Sequence, residues 1–136
     1  MARFEVNGIE GLQEKILRRE ATATAAIPKM LKAGAAVLVE AQQTEIRSTF
    51  TSDRATGDLA NSIKATSVKK SGETQKVEVY PHGKNRRGQP NATVGFVHQY
   101  GRSNMPARPW LTSANEKAAG EVQKAMRQEW EAAQSD

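Results

Sequence analysis

Residues 105–130 read MPARPWLTSANEKAAGEVQKAMRQEW, and the fold turns on them. Pro106 and Pro109 bracket Ala107 and Arg108. A residue before proline is pushed out of the α region, so the stretch up to Arg108 is extended. Pro109 suits the first position of a helix, where its missing N–H costs nothing. Beyond it, Leu111, Ala114, Ala118, Val122 and Ala125 recur at three and four, with Met126 and Trp130 close behind. That spacing predicts a long amphipathic helix, anchored at its start by Trp110 and Leu111.

Immediately upstream, Val94, Val97 and Tyr100 stand three apart. The spacing favours a short helix over Ala92 to Tyr100, ended by Gly101. Glycine adopts positive φ without strain and can reverse the chain there. Pro106 and Pro109 then stiffen the return, which lowers the entropy lost on ordering it. Arg108, held between two prolines, is placed to bond a carboxylate or carbonyl of this subunit or of another. The segment is therefore either a well-built corner or a subunit contact.

The first half of the chain is also helical. Phe4 and Val6 alternate in a short strand that Asn7-Gly8 closes. Ile9, Leu12 and Ile16, with Leu17 alongside, predict a first helix to about Ala21. Pro28 fits a helical first turn but not a helix interior. A second helix follows it on Met30, Leu31, Gly34, Leu38 and Ala41, to about Phe50. Residues 22–27 either join the two helices or break them. The alanines at 33, 35, 36 and 41 allow another element to approach closely. Residues 51–58 form a polar loop. Thr56 to Ile63 reads as one helical turn, capped by Thr56 or Asp58, with Leu59 and Ile63 on one side. Residues 63–70 and 75–81 form a hairpin about a turn at 71–74, with Val77 and Val79 inward. Residues 82–91 form a mobile basic loop by composition. The fold class is α+β: a small antiparallel β-sheet packed against two long amphipathic helices, with a basic loop after the central hairpin. The 136 residues make a single domain, with a polar tail at about 131–136.

Aromatics are 5% of the chain, so its core rests on alanine and the branched aliphatics, and a chain with so few large anchors is expected to complete its burial against neighbours. There is no cysteine, which removes disulfides, thiolate chemistry and Cys-based zinc sites. No uninterrupted apolar run approaches a membrane span, and the N-terminus lacks a secretory h-region. A soluble protein made in the cytoplasm is expected. Charge is uneven. Residues 64–108 hold nine Lys and Arg against Glu73 and Glu78, a net +7, while the rest of the chain is −2. Lys69, Lys70, Lys84, Arg86 and Arg87 make the candidate surface for DNA or an acidic partner. The plainer possibility is a solvated loop. No aromatic in the loop is available to stack on bases, and no helix-turn-helix or zinc-finger pattern reads duplex sequence.

Catalysis has no support in these residues. The two histidines, His82 and His98, lie in no recognisable motif. No ligand spacing fits a metal, no carboxylate pair is set for acid–base work, and no glycine motif is built for phosphate. No catalytic residue, metal or cofactor is expected.

Three pieces, in order, resemble a known family. They are Thr56-Gly57-Asp58-Leu59-Ala60-Asn61-Ser62-Ile63, the hairpin behind it, and residues 97–111, VHQYGRSNMPARPWL. Together they resemble the small tail-component family of long-tailed phages, also described as tail completion or head–tail joining proteins. That family's third piece runs close to v-E-F-G-T-s-x-m-P-A-R-P-F-l. The likeness spans about residues 9–130. Gln99 stands where the family usually has Glu, and Arg102 where Thr is common. The resemblance implies a virion structural protein of the tail or neck and not an enzyme. It implies a homo-oligomeric ring, a hexamer, beside adjacent neck and tail ring proteins, with genomic DNA passing non-specifically through the lumen and no membrane partner. Subunit contact would fall to Tyr100, Gly101, Arg102, Met105, Pro106, Arg108, Pro109 and Trp110. The turn element would rest on Gly57, Leu59 and Ile63. A tail terminator, another tail morphogenesis protein, or a small basic nucleic-acid-binding module are the alternatives.

Overall fold

The computed structural model describes residues 10–51, 56–72 and 74–134, with side chains from residue 20 onward. The expected strand at Phe4 and Val6 lies outside the described residues. The elements run α1 (Glu10–Thr49), α2 (Asp58–Ser62), β1 (Ile63–Ala65), β2 (Lys69–Ser71), β3 (Thr74–Lys76), β4 (Val79–Pro81), α3 (Asn91–Tyr100) and α4 (Trp110–Gln134). The α+β class holds, with two long helices and a small antiparallel region.

Of the two alternatives for residues 22–27 the join is the one found: a single helix of 40 residues and about 60 Å, with Pro28 inside it. Proline in a helix interior costs about 3 kcal/mol. Burial on both sides offsets that cost, since Ala23 and Ala26 before it and Ala35 after it are buried. Helix α4 packs antiparallel along α1. Gln42 Nε2 donates to Asn115 Oδ1 at 3.1 Å, while Gly34 lies against Val122 and Met126 further along. A Cβ at Gly34 would sit 3.0 Å from Met126 Cγ. The close approach expected of the small-residue face is thus sharpest at its glycine. Glu20–Thr49 is long and apolar enough, by length and composition, to cross a membrane, which a search for uninterrupted apolar residues overlooked. A soluble core helix has the same composition, and this one buries Ala23, Ala26, Ala35 and Ile46 within the fold. Helix α4 continues to Gln134, into the expected polar tail.

The single hairpin is split into two short ladders. Ile63 pairs with Pro81 and Ala65 with Val79, then Lys69 pairs with Lys76 and Ser71 with Thr74. Between them, residues 66–68 face only residues 77–78, so one strand carries an extra residue, the geometry of a bulge. Thr66 bridges the break: its N–H donates to Glu78 O at 2.8 Å, and its Oγ1 accepts from the Glu78 N–H at 3.0 Å.

The core lies where α1 ends and α4 begins. Ile46, Ala60, Ile63 and Trp110 are buried together, with Val39, Phe50, Leu59, Val79 and Leu111 packed around them. Leu59 and Ile63 therefore share one side, as the helical spacing required. The cap differs from expectation. Gly57, at φ 83°, is the N-cap of α2 and offers no side chain. Thr56 Oγ1 accepts from the Asp58 N–H at 3.3 Å, and the Asp58 carboxylate is engaged elsewhere.

Candidate assembly surface

The corner between α3 and α4 is fixed by hydrogen bonds that sequence reading did not find. Trp110 is 1% exposed, and its Nε1–H donates to Gly95 O at 2.9 Å. Gly95 has to be small, since a Cβ there would lie 3.0 Å from the Trp110 ring. Gln99 is buried, and its Oε1 accepts from the N–H groups of Leu111 and Thr112 at 2.8 and 3.3 Å. Those are orphan donors at the start of α4, so a side chain of α3 caps the following helix. Gln99 Nε2 donates to Thr112 Oγ1 at 2.6 Å. The amide at position 99 does what a carboxylate there could do, so Gln in place of the Glu usual at this position leaves the cap intact. The cap partners are twelve residues apart, too far for any local motif to reveal them.

Gly101 reverses the chain at φ 77°. A Cβ there would fall 2.8 Å from Ala107 N and Met105 O, so the returning segment passes through the space a side chain would take. Arg102 and Met105 exchange backbone hydrogen bonds, closing the tip of the corner. The Arg108 N–H donates to His98 O at 2.7 Å, and its guanidinium lies over the Phe50 ring at 5.6 Å. Pro106 and Pro109 are exposed, and Pro109 precedes α4 by one residue, its carbonyl accepting from the Ser113 N–H. Tyr100 projects outward, 73% exposed.

The five basic candidates fall into separate groups. Lys69 and Lys70 lie on β2, near the hairpin tip, where every residue is exposed. Lys84, Arg86 and Arg87 lie beyond β4, at the base of the same hairpin. At about 3.3 Å per residue, the two groups stand on the order of 20 Å apart along it. Arg86 already has an acidic partner within the chain. Its guanidinium clasps Asp58 at 2.8 and 3.0 Å, and its N–H adds a third bond at 3.1 Å. This clasp holds the Asp58 carboxyl down to about 2. Residues 82–91, expected to be a mobile loop, form a hydrogen-bonded turn. Asn85 Oδ1 accepts from the N–H groups of Arg87 and Gln89, and buried Asn91 donates from Nδ2 to His82 O. Lys84 and Arg87 remain exposed, with no ion pair among the described residues.

A groove of about 470 Å³ opens between the ends of α1, α2 and α3. Ile46, Phe50, Leu59 and Val94 give it apolar walls, and Arg47, Asp58, His98 and Arg108 also line it. These ionisable groups do not form acid–base machinery. Asp58 is committed to Arg86. His98 is pushed below its ordinary value by burial and by Arg108 and Arg102, and its ring packs on Phe50 at 4.6 Å. Arginine does not exchange its proton in this range. Among the described residues, no group of three His, Asp or Glu side chains is placed to hold a metal ion.

Residues 10–102 match a family model described as "Bacteriophage HK97-gp10, putative tail-component". The match takes in the Thr56–Ile63 element and the whole hairpin. It ends at Arg102, before the Met105–Leu111 half of the corner. Comparison with curated proteins and with solved structures returned no match.

Proposed function

Because the chain belongs to the HK97-gp10-like family of phage tail components, we propose that it is a neck or tail-top subunit of the virion. In this reading it is a tail completion or head–tail joining protein, and six copies form a ring around the DNA passage. Ring closure by head-to-tail contacts needs two different surfaces on each copy.

The observation that carries this reading is the outer half of the hairpin. Strands β2 and β3 contain no buried residue. Ordering such a segment costs about 1–2 kcal/mol per residue in backbone entropy, and here little is returned by burial in the chain's own core. A hairpin of this kind is useful where something outside the subunit meets it. Lys69 and Lys70 on its tip suit phosphates of passing DNA or acids on an adjacent ring, through contacts that carry no sequence information.

Reconstruction of the assembled particle tests this. The expected result is a ring of this chain at the head–tail junction, with hairpin tips turned toward the axis or the next ring. A particle whose neck and tail lack the chain would discard the proposal. A ring found at the distal end of the tail tube would replace it with the reading as another tail morphogenesis protein.

A further inference from the structure

Helix α3 spends one face on the core, through Gly95 and Gln99. Its other face carries Phe96 and Tyr100, one turn apart, with ring centroids 6.5 Å from each other and planes at 23°. They are 40% and 73% exposed, the exposed large hydrophobics of the described residues. The corner tip sets Arg102 just beyond them, exposed and without an acidic partner among the described residues. Aromatic rings with an arginine beside them are the composition of an interface centre.

A receptor for such a knob exists elsewhere on the same chain. Between α1 and α4 runs a groove of about 420 Å³, with Val37, Ala41, Ala114 and Ala118 among its lining. Its floor is low because alanines stand where larger side chains would fill it. Glu40 and Glu121 also line it, both exposed and unpaired among the described residues. The groove's lysine is already taken, since Lys117 Nζ bonds both oxygens of Glu45 at 3.0 and 3.2 Å. The groove therefore offers apolar depth with acidic rims. The larger groove, at α1, α2 and α3, is lined by Arg47 and Arg108. It would repel Arg102.

We propose that Phe96, Tyr100 and Arg102 of one copy seat in the acid-rimmed α1–α4 groove of a second copy. Knob and groove are different surfaces, so the contact is head-to-tail and propagates into a ring when the rotation closes. The proposal rests on the ring reading above and names the contact that would build it. The aromatic pair is the centre of the contact and not its whole, since a stable interface buries about 800 Å² per partner.

The chain has no cysteine, so introduced thiols report one contact each. Full-length Arg102→Cys and Glu121→Cys are mixed under mild oxidation, after mass measurement of the unmodified chain gives its oligomeric state. The covalent dimer should form at least about tenfold faster in the mixture than in either variant alone, because a preformed contact raises effective concentration. Tyr100→Ala, at an exposed position that leaves the fold intact, should weaken assembly by about thirtyfold. If the chain alone stays monomeric, the doubly substituted chain is oxidised in assembled particles and should yield covalent rings. Oligomers that form without the mixed cross-link, or that ignore Tyr100→Ala, overturn this interface and leave the ring reading standing. A dimer in Arg102→Cys alone means a symmetric contact and overturns it too. Finding no oligomer in solution or in particles overturns the ring reading, and this interface with it.

Discussion

The corner at residues 95–111 and the hairpin tip at residues 69–76 are both short and both reverse at a glycine of positive φ, yet they are stabilised in opposite ways. In the corner, Trp110, Gly95, Gly101 and Gln99 each satisfy a specific steric or hydrogen-bonding need of the others. In the tip, no described residue is fully buried, and the ladder Lys69–Ser71 against Thr74–Lys76 rests mainly on backbone pairing. The first region is built to be rigid within one subunit. On the proposed reading, the second meets something outside the subunit. Substitutions at the buried positions of the corner should therefore act on folding, and substitutions in the tip on assembly.

Trp110→Ala gives the largest expected effect. It removes the largest core side chain and leaves Gly95 O without its donor, for a loss of about 3–5 kcal/mol in urea unfolding. A loss below about 1 kcal/mol would mean that the corner is not part of the core. Gly101→Ala comes next. It places a Cβ at positive φ and against two backbone atoms of the return segment, and should cost about 1–3 kcal/mol. The same substitution at Gly72, also at positive φ but with nothing within 4 Å, should cost less. If the two cost the same, the close packing of the corner contributes nothing and the comparison fails.

Gln99 sharpens the comparison further. Gln99→Leu strips the cap from α4 and should cost about 1–2 kcal/mol in the same unfolding measurement. Gln99→Glu should be at least as stable as the parent at neutral pH. A carboxylate accepts from the same two N–H groups, takes a third bond from the Thr112 hydroxyl, and favours the helix N-terminus. If Gln99→Glu proves as damaging as Gln99→Leu, the capping role is wrong.

These residues also mark how much was legible in the sequence. The period of Leu111, Ala114, Ala118 and Val122 was sufficient for α4, and that of Val94, Val97 and Tyr100 for α3, because amphipathic spacing is a local signal. Gly101 was legible as a reversal for the same reason. Pro28 left the join between the helices open, because burial of Ala23, Ala26 and Ala35 on the two sides of it is a tertiary effect. Gln99, Asn91 and the Asp58–Arg86 clasp were invisible, since each joins positions brought together by folding, 28 residues apart in the last case. Composition grouped five basic residues into one surface. The hairpin's length separates them, and Asp58 withdraws Arg86 from the group.

Lys69→Ala with Lys70→Ala tests the tip directly. Neither side chain is buried, and neither is paired among the described residues, so unfolding stability should stay within about 0.5 kcal/mol of the parent. The yield of tailed particles, by contrast, should fall. A double variant that unfolds more easily but assembles normally would reverse the roles assigned to the two regions.

The smallest expected effect on stability concerns the clasp that ties residues 82–91 to α2. Asp58 titrates near 2 in the folded chain, against about 3.9 for an unperturbed aspartate. A carboxyl lowered on folding stabilises the folded form fully above the unfolded value and loses that contribution as pH falls toward the folded one. The clasp should therefore be intact at neutral pH and open with a midpoint near pH 2, over about pH 3 to pH 1, while the stability it adds fades between the unfolded and folded values. The Arg86 Nε–H resonance should follow that titration, and in Asp58→Asn it should start from the open position at all pH values. Because Arg86 is exposed, global stability should move little even as the resonance shifts. If the resonance stays fixed through this range, Asp58 does not hold the basic turn, and Arg86 rejoins Lys84 and Arg87 as a cation free to meet a partner.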